Sequence, residues 1–381
     1  MEWKEYSLGD ISKLKYGKNV SAKLCKGPVP IFSGYRKIGT CNTINCKKNT
    51  VIVIARGAGG CGDVKLTKED CFLTNLSISV ELDKGICNAK WFYYNHLLNN
   101  LSFLNSGSAQ PQITIDSLSK YLIRIPPIII QRKIAGILSA LDSKIENNNK
   151  INANLEAQAE ALFKSWFVDF TPFKDKPFVD SELGSIPQGW KVGKLGDIGE
   201  IVGGSTPSKS KPEYYTTHGI AWLTPKDLST SKAKFTSRGE IDITDEGYNS
   251  TSTKLMPRGS VLFSSRAPIG YLTIAKNEIC TNQGFKSLVP NGAGTGFIYY
   301  TLRHLTPQIE NRATGSTFKE ASATLMRSVE TIVPPTSILN KFEELLRPIL
   351  QFQEKKEEEN QRLAALRDTL LPKLMSGEIK L

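Results

Sequence analysis

The sequence lacks the features that would place it in a membrane or outside the cell. Its 381 residues contain no apolar run close to the roughly 18–20 residues that a membrane-spanning helix needs, and the longest run, residues 125–130, includes two prolines. The first residues, MEWKEYSLGD, have neither the basic start nor the apolar stretch of a secretory signal. We therefore expect a cytoplasmic protein that does not associate with membranes.

Cysteine and histidine are too few and too scattered to predict a metal centre. There are seven cysteines and three histidines, and six of the cysteines lie between Cys25 and Cys87 without forming a CxxC pair. The closest spacing, Cys41 to Cys46, is loose for a structural zinc site. An odd number of cysteines in a chain without a secretory signal favours reduced thiols. Free buried cysteines are thus favoured over zinc, and no cofactor is predicted for this chain.

Common motifs of catalytic and nucleotide-binding sites are also missing. The sequence has no Asp/Asn-Pro-Pro-Tyr methyl-transfer motif, no GxGxxG or GxxxxGK[ST] loop opening a helix, and no HExxH or GxSxG. The glycines between Gly57 and Gly62 are not followed by Lys-Ser or Lys-Thr, so we interpret them as a turn. These absences favour recognition over catalysis, and we expect the chain not to be an enzyme.

An internal repeat is the strongest signal that the sequence does contain. The passage GSAQPQITIDSLSKYLIRIPP at residues 107–127 has a counterpart of equal length, GSTFKEASATLMRSVETIVPP, at residues 315–335, which is 208 positions later. Three further pairs occur in the same order: an LGDI segment near each start, a strand-like run followed by Arg56 or Arg266, and a Thr-Asn strand. Four matches in the same order, three of them at offsets of 207–210 positions, predict two copies of one domain plan.

A long helix is predicted after each Pro-Pro. Proline cannot continue a helix or a central strand, so each pair marks a boundary, and the apolar residues that follow recur about every 3.5 residues, which is typical of a coiled-coil seam. Two helices of equal length, one per copy, favour an antiparallel pair whose polar positions lie near its middle. The predicted seam residues are Leu138, Leu141, Ile145, Asn152, Leu155, Leu346, Ile349, Asn360, Leu363 and Leu370.

The predicted fold class is α+β, with two similar globular domains of mixed helix and strand joined by the two packed helices. Short strand-like runs alternate with Gly, Asn, Ser and Pro in both globular segments. The expected boundaries are residues 1–127 for the first globular domain, 128–172 for the first long helix and its connector, 173–335 for the second globular domain, and 336–381 for the second long helix.

The net charge of +12 is carried by the globular segments. Residues 1–130 hold seventeen basic and nine acidic side chains, and residues 171–336 hold nineteen and fifteen, whereas residues 131–170 and 337–381 are each neutral. Basic domains joined by neutral helices favour duplex DNA as a partner over a membrane surface, because a membrane would favour a basic amphipathic helix.

The two helical segments resemble those of the specificity subunits of type I restriction–modification systems. The segment IPPIIIQRKIAGILSALDSKIENNNKINANLEAQAEALFKSWFVDF at residues 125–170 is similar to their central conserved region, and LAALRDTLLPKLMSGEIKL at residues 363–381 is similar to their C-terminal conserved region. The LGDI openings and the two-copy plan also match, so the resemblance covers essentially the whole chain. The globular segments vary widely in such proteins and match mainly in layout.

The resemblance implies that each globular domain is a target-recognition domain for one half of a bipartite sequence in duplex DNA. The two long helices would fix the distance between the halves. Two methyltransferase (modification) subunits would dock on the conserved helices and supply the S-adenosylmethionine chemistry, and restriction subunits would add the motor and nuclease. The chain itself would be non-catalytic.

Candidate DNA contacts follow from residue type and from position in the repeat. Arg56 and Arg266 could bond guanine bidentately, and the alternatives are a phosphate contact or a surface ion pair. Polar side chains before each Pro-Pro could address base edges and lysines could contact phosphates, although solvated loops and lysine strips have the same pattern. The remaining candidates are Lys13, Lys15, Lys18, Tyr35, Arg36, Ser108, Gln110, Gln112, Lys209, Lys211, Tyr214, Tyr215, Thr314, Ser316 and Lys319.

A second hypothesis from a different class stays open at this point. Neutral helices and basic modules would also fit a coiled-coil scaffold that carries two ligand-binding modules and has no role on DNA. Discrimination between DNA sequences in the presence of a methyltransferase subunit would favour the first hypothesis, and its absence would favour the scaffold.

Overall fold

Two compact units make up the chain in the computed structural model. The structure describes residues 3–20, 26–57, 60–106, 111–231, 233–266, 268–315 and 319–381. The first unit comprises Met1–Glu146 with Asn360–Leu381, and the second comprises Asn147–Glu359. Among the described residues, no helix is both long and apolar enough to cross a membrane.

The first unit is built on antiparallel strand pairs. Its described strands are β1 (Lys4–Ser7), β2 (Ser12–Tyr16), β3 (Val29–Ser33), β4 (Arg36–Cys41), β5 (Val51–Ile54), β6 (Val64–Leu66), β7 (Phe72–Leu73), β8 (Ser77–Leu82) and β9 (Leu122–Ile125). One sheet has the order β2-β8-β5-β6, a second has the order β4-β3-β7, and β1 pairs with β9. All these pairs are antiparallel except β3 with β7. The four residues of β5, VIVI, are buried, which agrees with their place inside the sheet.

The helices of the first unit begin at side-chain caps or after proline. The α-helices that begin in this unit are α1 (Ala89–Leu98), α2 (Ile115–Ser119) and α3 (Ile128–Phe167), of which the first part belongs to it. Asn88 caps α1, and Thr114 and Ser117 form a reciprocal capping box on α2. The α3 helix starts directly after the Pro-Pro pair, where the backbone N–H of Ile130 donates to the carbonyl of Pro127 at 2.8 Å.

The core of the first unit unites its sheet, its helices and the end of the chain. Trp91 of α1, Leu138 of α3, and Leu371 and Leu374 near the C-terminus belong to one buried apolar cluster. A side chain with so little exposed surface contributes about 1.5–3 kcal/mol by leaving water. The C-terminal segment is therefore part of this unit's core.

The second unit repeats and extends this plan. Its described strands are β10 (Phe178–Ser181), β11 (Gly184–Pro187), β12 (Lys191–Lys194), β13 (Gly199–Gly203), β14 (Tyr215–Thr216), β15 (Trp222–Leu223), β16 (Phe235–Thr236), β17 (Asp242–Ile243), β18 (Val261–Ser265), β19 (Ile269–Ala275), β20 (Cys280–Thr281), β21 (Lys286–Pro290) and β22 (Glu330–Val333). The main sheet has the order β13-β21-β18-β19-β16, and β12 pairs with β22. A hairpin of β10 and β11 lies at the start of the predicted second globular domain, residues 173–335.

Aromatic side chains fill the core of the second unit. Its helices are the second part of α3 together with α4 (Leu195–Ile198), α5 (Pro225–Ser231), α6 (Asp245–Asn249), α7 (Thr295–Arg312), α8 (Ala323–Ser328) and most of α9 (Thr336–Ser376). The ring of Phe167 on α3 lies 4.7 Å from that of Phe342 on α9 and 4.8 Å from that of Phe297 on α7. Both contacts have the edge-to-face geometry that aromatic pairs prefer.

The predicted repeat and the α+β class are confirmed strand by strand. The pair β2–β8 corresponds to β13–β21, the pair β1–β9 corresponds to β12–β22, and the parallel pair β3–β7 corresponds to β15–β20. The helix α9 begins as α3 does, since the N–H of Ile338 donates to the carbonyl of Pro335 at 2.9 Å. It ends before Gly377, whose φ of 77° is the left-handed conformation common after a helix.

The two long helices run antiparallel, as predicted. In the second unit Asn148 of α3 donates to Glu359 of α9 at 3.0 Å, and further along α3 the ring of Phe163 meets that of Phe342 at 6.3 Å. Residue numbers rise along α3 while those of its partners on α9 fall. The same direction holds in the first unit, where Arg367 donates to Asp142 at 2.7 Å.

Burial along the predicted seam is uneven. Leu138 and Leu346 are fully buried. Two polar residues that were not among the seam predictions, Asn148 and Gln353, are also buried. The half-buried members are Leu141, Ile145, Asn152, Leu155, Ile349, Asn360, Leu363 and Leu370.

Candidate nucleic-acid interface

The repeated arginine and the repeated passage meet in both units. In the first unit Arg56, directly beyond β5, forms an isolated antiparallel bridge with Gln112. In the second unit Arg266, directly beyond β18, forms the same bridge with Glu320. Gln112 and Glu320 are 208 positions apart and occupy the same place in the passage. The fold therefore joins two features that lie more than fifty residues apart in the sequence.

The residue just before each passage is hydrogen-bonded to the passage at this bridge. The N–H of Ser106 donates to the carbonyl of Gln112 at 3.1 Å, and the N–H of Glu320 donates to the carbonyl of Thr314 at 2.8 Å. The exposed Thr314 and Lys319 belong to the second of these segments. The predicted contacts Ser108, Gln110 and Ser316 lie outside the described residues.

The Thr-Asn strands are hydrogen-bonded to the segments that carry the two arginines. The residues before each arginine bond to the chain just after Thr-Asn, with Ala55 N–H to Leu76 carbonyl and Ser265 N–H to Gly284 carbonyl both at 2.8 Å. Gly17 and Gly204, each six residues beyond an LGDI segment, also pack there. A Cβ at Gly17 or at Gly204 would lie 2.1 Å from a threonine carbonyl oxygen of the Thr-Asn pair, so only glycine fits. All four repeated features thus converge in each domain.

The arginine in the second unit belongs to a charged cluster. Its Nη1 lies 3.6 Å from Oε2 of Glu320, whose Oε1 accepts from Lys286 Nζ at 3.3 Å. Lys286 also donates to the carbonyl of Gln283 at 3.4 Å. In the first unit Gln112 is neutral, and the described residues show no ion pair to the exposed Arg56. The two arginines therefore have different electrostatic surroundings.

Three predicted lysine contacts lie on or beside β2. Lys13 and Lys15 are exposed, and Lys15 Nζ lies 3.1 Å from a carboxylate oxygen of Glu81 on β8. Lys18 follows the strand and is exposed, with its backbone N–H bonded to the carbonyl of Leu73 at 3.0 Å. An exposed ion pair such as Lys15–Glu81 contributes only about 0–1 kcal/mol, so Lys15 can exchange its partner for a phosphate.

The predicted aromatic contacts take part in the fold. Tyr35 donates its hydroxyl to the carbonyl of Leu66 at 2.9 Å, and burial raises the pKa of this phenol. Its neighbour Arg36 is exposed at the start of β4. Tyr215 likewise donates to the carbonyl of Pro207 at 2.6 Å. The hydroxyls of Tyr35 and Tyr215 are therefore already hydrogen-bonded to backbone carbonyls.

Basic and aromatic groups surround a cleft in the second unit. Its volume is about 530 Å³, and its lining includes the ring of Trp222 and the amides of Asn282 and Gln283. Two lysines, Lys209 and Lys226, and two carboxylates, Asp227 and Glu240, also line it, and Lys226 pairs with Glu240 at 3.1 Å. Cationic, aromatic and amide groups of this kind bind phosphates and base edges.

A neighbouring pair gives a second cation–aromatic contact. Lys211 Nζ lies 4.9 Å from the ring centre of Tyr214 and donates to its hydroxyl at 2.9 Å. Both residues were predicted contacts, whereas Lys226, Gln283, Lys286 and Glu320 were not. Asn282 and Glu320 lie in repeated passages and therefore carried a sequence signal, whereas Lys226, Gln283 and Lys286 are ordinary surface types.

Cysteines and histidines do not gather into a metal centre in the part of the chain that the structure describes. No three His, Cys, Asp or Glu side chains converge there. Cys46 and Cys71 face each other as free thiols, with reciprocal backbone hydrogen bonds of 3.0 and 2.9 Å. Burial raises the pKa of Cys87 to about 12, so this thiol stays protonated at neutral pH. Cys25 lies outside the described residues.

Comparison with known proteins decides the family. A family model described as "Type I restriction modification DNA specificity domain" matches residues 1–157 and 187–363, one match in each copy of the repeat. The chain belongs to the type I restriction–modification specificity family. Its two globular domains are the target-recognition domains of a specificity subunit.

Individual relatives agree with this assignment. The MjaIX specificity subunit of Methanocaldococcus jannaschii is 38% identical over 179 residues, which are 44% of this chain and 41% of that relative. The HindI specificity subunit of Haemophilus influenzae is 26% identical over 470 aligned positions, which cover 99% of this chain and 100% of that relative. The chain thus matches less than half of the first relative and the whole length of the second.

A solved structure shares the fold. The crystal structure of a type I restriction–modification S subunit from M. genitalium superposes with a TM-score of 0.68 and covers 98% of this chain and 96% of its own. Its sequence is 18% identical, so the likeness concerns the arrangement of the elements.

Proposed function

We propose that this specificity subunit recognises a bipartite target in duplex DNA, with one half-site bound by each target-recognition domain. The observation that carries the proposal is the recurrence of one backbone pairing, Arg56 with Gln112 and Arg266 with Glu320. Arginine can bond O6 and N7 of guanine, glutamine can bond adenine, and glutamate can accept from cytosine. The change from Gln112 to Glu320 supports two different half-sites.

The charge distribution supports the same partner. Both globular segments carry an excess of basic residues, while the helical segments are neutral. Neutralising phosphates releases counterions, which drives binding to duplex DNA and makes it sensitive to salt. A scaffold without a role on DNA would have no physical need for this separation of charge.

The long helices would fix the gap between the half-sites. The helices α3 and α9 have 40 and 41 residues, which is about 60 Å each at a rise of 1.5 Å per residue. Equivalent major-groove positions on one face of DNA recur about every 10–10.5 base pairs. A spacer of fixed length would therefore accept one gap and reject others.

The same helices would carry the partner subunits. Several large apolar side chains on them are exposed, among them Ile129 at 65%, Leu345 at 50%, Phe352 at 44% and Leu366 at 47%. Exposed apolar surface of this kind is typical of protein contact sites. We assign it to two methyltransferase subunits, which would bind S-adenosylmethionine. Restriction subunits would complete the complex, and this chain would supply recognition without catalysis.

Single-molecule methylome sequencing tests the proposal. Cells that carry the partner methyltransferase are compared with and without this chain, and with its R56A variant. We expect one bipartite methylated motif that requires the chain, and a change confined to one half-site in the variant. Methylation that does not depend on the chain, together with equal binding of all duplexes by the purified complex, would instead support the scaffold.

A further inference from the structure

A buried lysine joins the second target-recognition domain to both long helices. The side chain of Lys234 is 9% exposed, and its Nζ lies 2.5 Å from Oε2 of Glu156 on α3. The same ammonium donates to Tyr300 Oη at 2.7 Å and to Gln353 Oε1 on α9 at 2.9 Å. It also lies 4.6 Å from the ring centre of Tyr299. We call these groups the Lys234 cluster.

The backbone of the same segment is held from both sides. The N–H groups of Lys234 and Phe235 donate to the two carboxylate oxygens of Glu357 on α9 at 3.0 and 3.1 Å. On the other side, the carbonyl of Lys234 accepts from the N–H of Ile274 on β19 at 2.8 Å. The segment is thus bonded to the sheet of the domain and to both helices at once.

Exposed ion pairs surround the cluster. Arg303 of α7 lies 2.5 Å from carboxylate oxygens of both Glu156 and Glu160 on α3. Arg258 donates to both oxygens of Glu354 on α9 at 3.0 and 2.9 Å. Each arginine contacts two carboxylate oxygens through charge-assisted hydrogen bonds, which restricts the orientation of the domain on the helices.

The first unit is built differently. Among its described residues no lysine is buried. Its globular segment reaches α3 through hydrogen bonds from Tyr94 Oη to Asp142 at 2.5 Å and from Asn88 N–H to Gln131 Oε1 at 2.7 Å. Its ion pair to α3, Lys68 with Glu146 at 3.9 Å, is long and solvent-exposed. A buried ionic attachment is therefore a property of the second target-recognition domain among the described residues.

A buried ion pair is a weak source of stability, because removing two charges from water offsets most of their attraction. Apolar residues of similar volume often replace such a pair without loss of stability. What an ionic cluster provides instead is a single geometry, because every donor and acceptor must be paired at once. The position of the Lys234 cluster, between the domain and the helices, indicates that it fixes the orientation of the domain on the helices.

We propose that Lys234 is a positioning residue that fixes the second target-recognition domain on the helix pair and thereby sets which gap between half-sites the subunit accepts. The proposal rests on the proposed function above. Changing the gap by one base pair rotates the second half-site by about 35° and moves it by about 3.4 Å. A domain held by the Lys234 cluster cannot follow that change.

The test measures gap selectivity in the complex of this chain with its methyltransferase subunits. The duplex library keeps both half-sites and varies the gap. The main variant, Lys234→Met with Glu156→Leu, removes both charges and leaves neither one buried alone. Glu357→Gln is a milder variant that keeps one acceptor for the backbone. Lys254→Met is the matched control, because Lys254 forms a long, solvent-exposed ion pair with Glu200 at 3.7 Å.

We expect the double variant to methylate gaps changed by one base pair about tenfold more efficiently, relative to the native gap, than the wild type. Glu357→Gln should shift selectivity in the same direction by less, and Lys254→Met should not shift it. Base preference within the second half-site should stay unchanged in all three. Unaltered gap selectivity in Glu357→Gln and in a folded double variant would overturn the proposal. A wild-type complex without any sequence or gap selectivity would instead overturn the proposed function.

Discussion

The cluster of Arg266, Glu320 and Lys286 makes opposite predictions for its acidic and basic members. Arg266→Ala removes a group that can bond guanine, whereas Glu320→Gln removes the carboxylate that holds it. If the surface that contains Arg266 and Glu320 faces DNA, Arg266→Ala weakens recognition of the second half-site. The second change strengthens attraction to phosphate and alters selectivity at one base.

Neither change should harm the fold. The side chains of Arg266 and Glu320 are 36% and 38% exposed, and their charged atoms are 3.6 Å apart. Ion pairs with this exposure contribute about 0.2–1 kcal/mol. Because the bridge between the two residues uses backbone groups, it survives both substitutions. We expect the free energy of unfolding of each variant to stay within about 1 kcal/mol of the wild type.

The effect on DNA should be larger and confined to one half-site. A bidentate arginine–guanine contact discriminates by about 1–3 kcal/mol, so Arg266→Ala should weaken binding of the native target by about 5- to 150-fold. Binding of duplexes that already lack that guanine should change little. Glu320→Gln removes one negative charge, so binding of duplexes that lack the base read by Glu320 should tighten, and the dependence of binding on salt should steepen.

Fluorescence anisotropy of the methyltransferase complex provides the measurement. Duplexes that differ at one position of either half-site are titrated at several salt concentrations. An equal loss for every sequence in Arg266→Ala, with the salt slope reduced by about one, would show a phosphate contact and refute base recognition. Unchanged DNA binding in both variants would show that the surface containing Arg266 and Glu320 does not face DNA.

Three further predictions concern stability and spacing. Burial lowers the pKa of His96 to about 4, so the unfolded chain binds a proton on this imidazole near pH 6.5 and the native chain does not. Between pH 7 and 5 the free energy of unfolding should therefore fall by about 2 kcal/mol. Urea titrations of His96→Gln should not show this dependence of the unfolding free energy on pH. Gly204→Ala should destabilise by about 1–3 kcal/mol or more, because its Cβ would lie 2.1 Å from the carbonyl of Thr281, whereas Gly136→Ala in open space on α3 should stabilise by about 0.5–1 kcal/mol in thermal melts. Inserting one heptad into both α3 and α9 should lengthen the gap and leave both half-sites unchanged, and retention of the original gap in a methylome survey would contradict the spacer.

Local sequence signals were enough to predict the repeat and the long helices. The Pro-Pro pairs end each globular domain because proline stops a regular element, and the recurring apolar residues make a helix amphipathic wherever it packs. Leu138 and Leu346 are buried for this reason. Leu141 and Ile349 are only half-buried, because two packed helices leave the flanks of their seam open.

Contacts between distant residues could not be predicted in this way. Lys234 stands in the run SKAKF, where a lysine has every sign of an exposed side chain. Its partners Glu156 and Gln353 lie 78 and 119 residues away, and only the folded chain brings them together. The hydroxyl of Tyr35 likewise bonds a carbonyl 31 residues away, which residue type alone does not indicate.

The sequence by itself determined that this chain has two copies of one domain, two long helices and basic globular segments, because each of these depends on composition, period or local chain stiffness. The tertiary structure decided which side chains share a site, since Arg56 meets Gln112 and Arg266 meets Glu320 only through strand pairing. Pairing across long loops depends on the free energy of the whole core, and no local pattern encodes it.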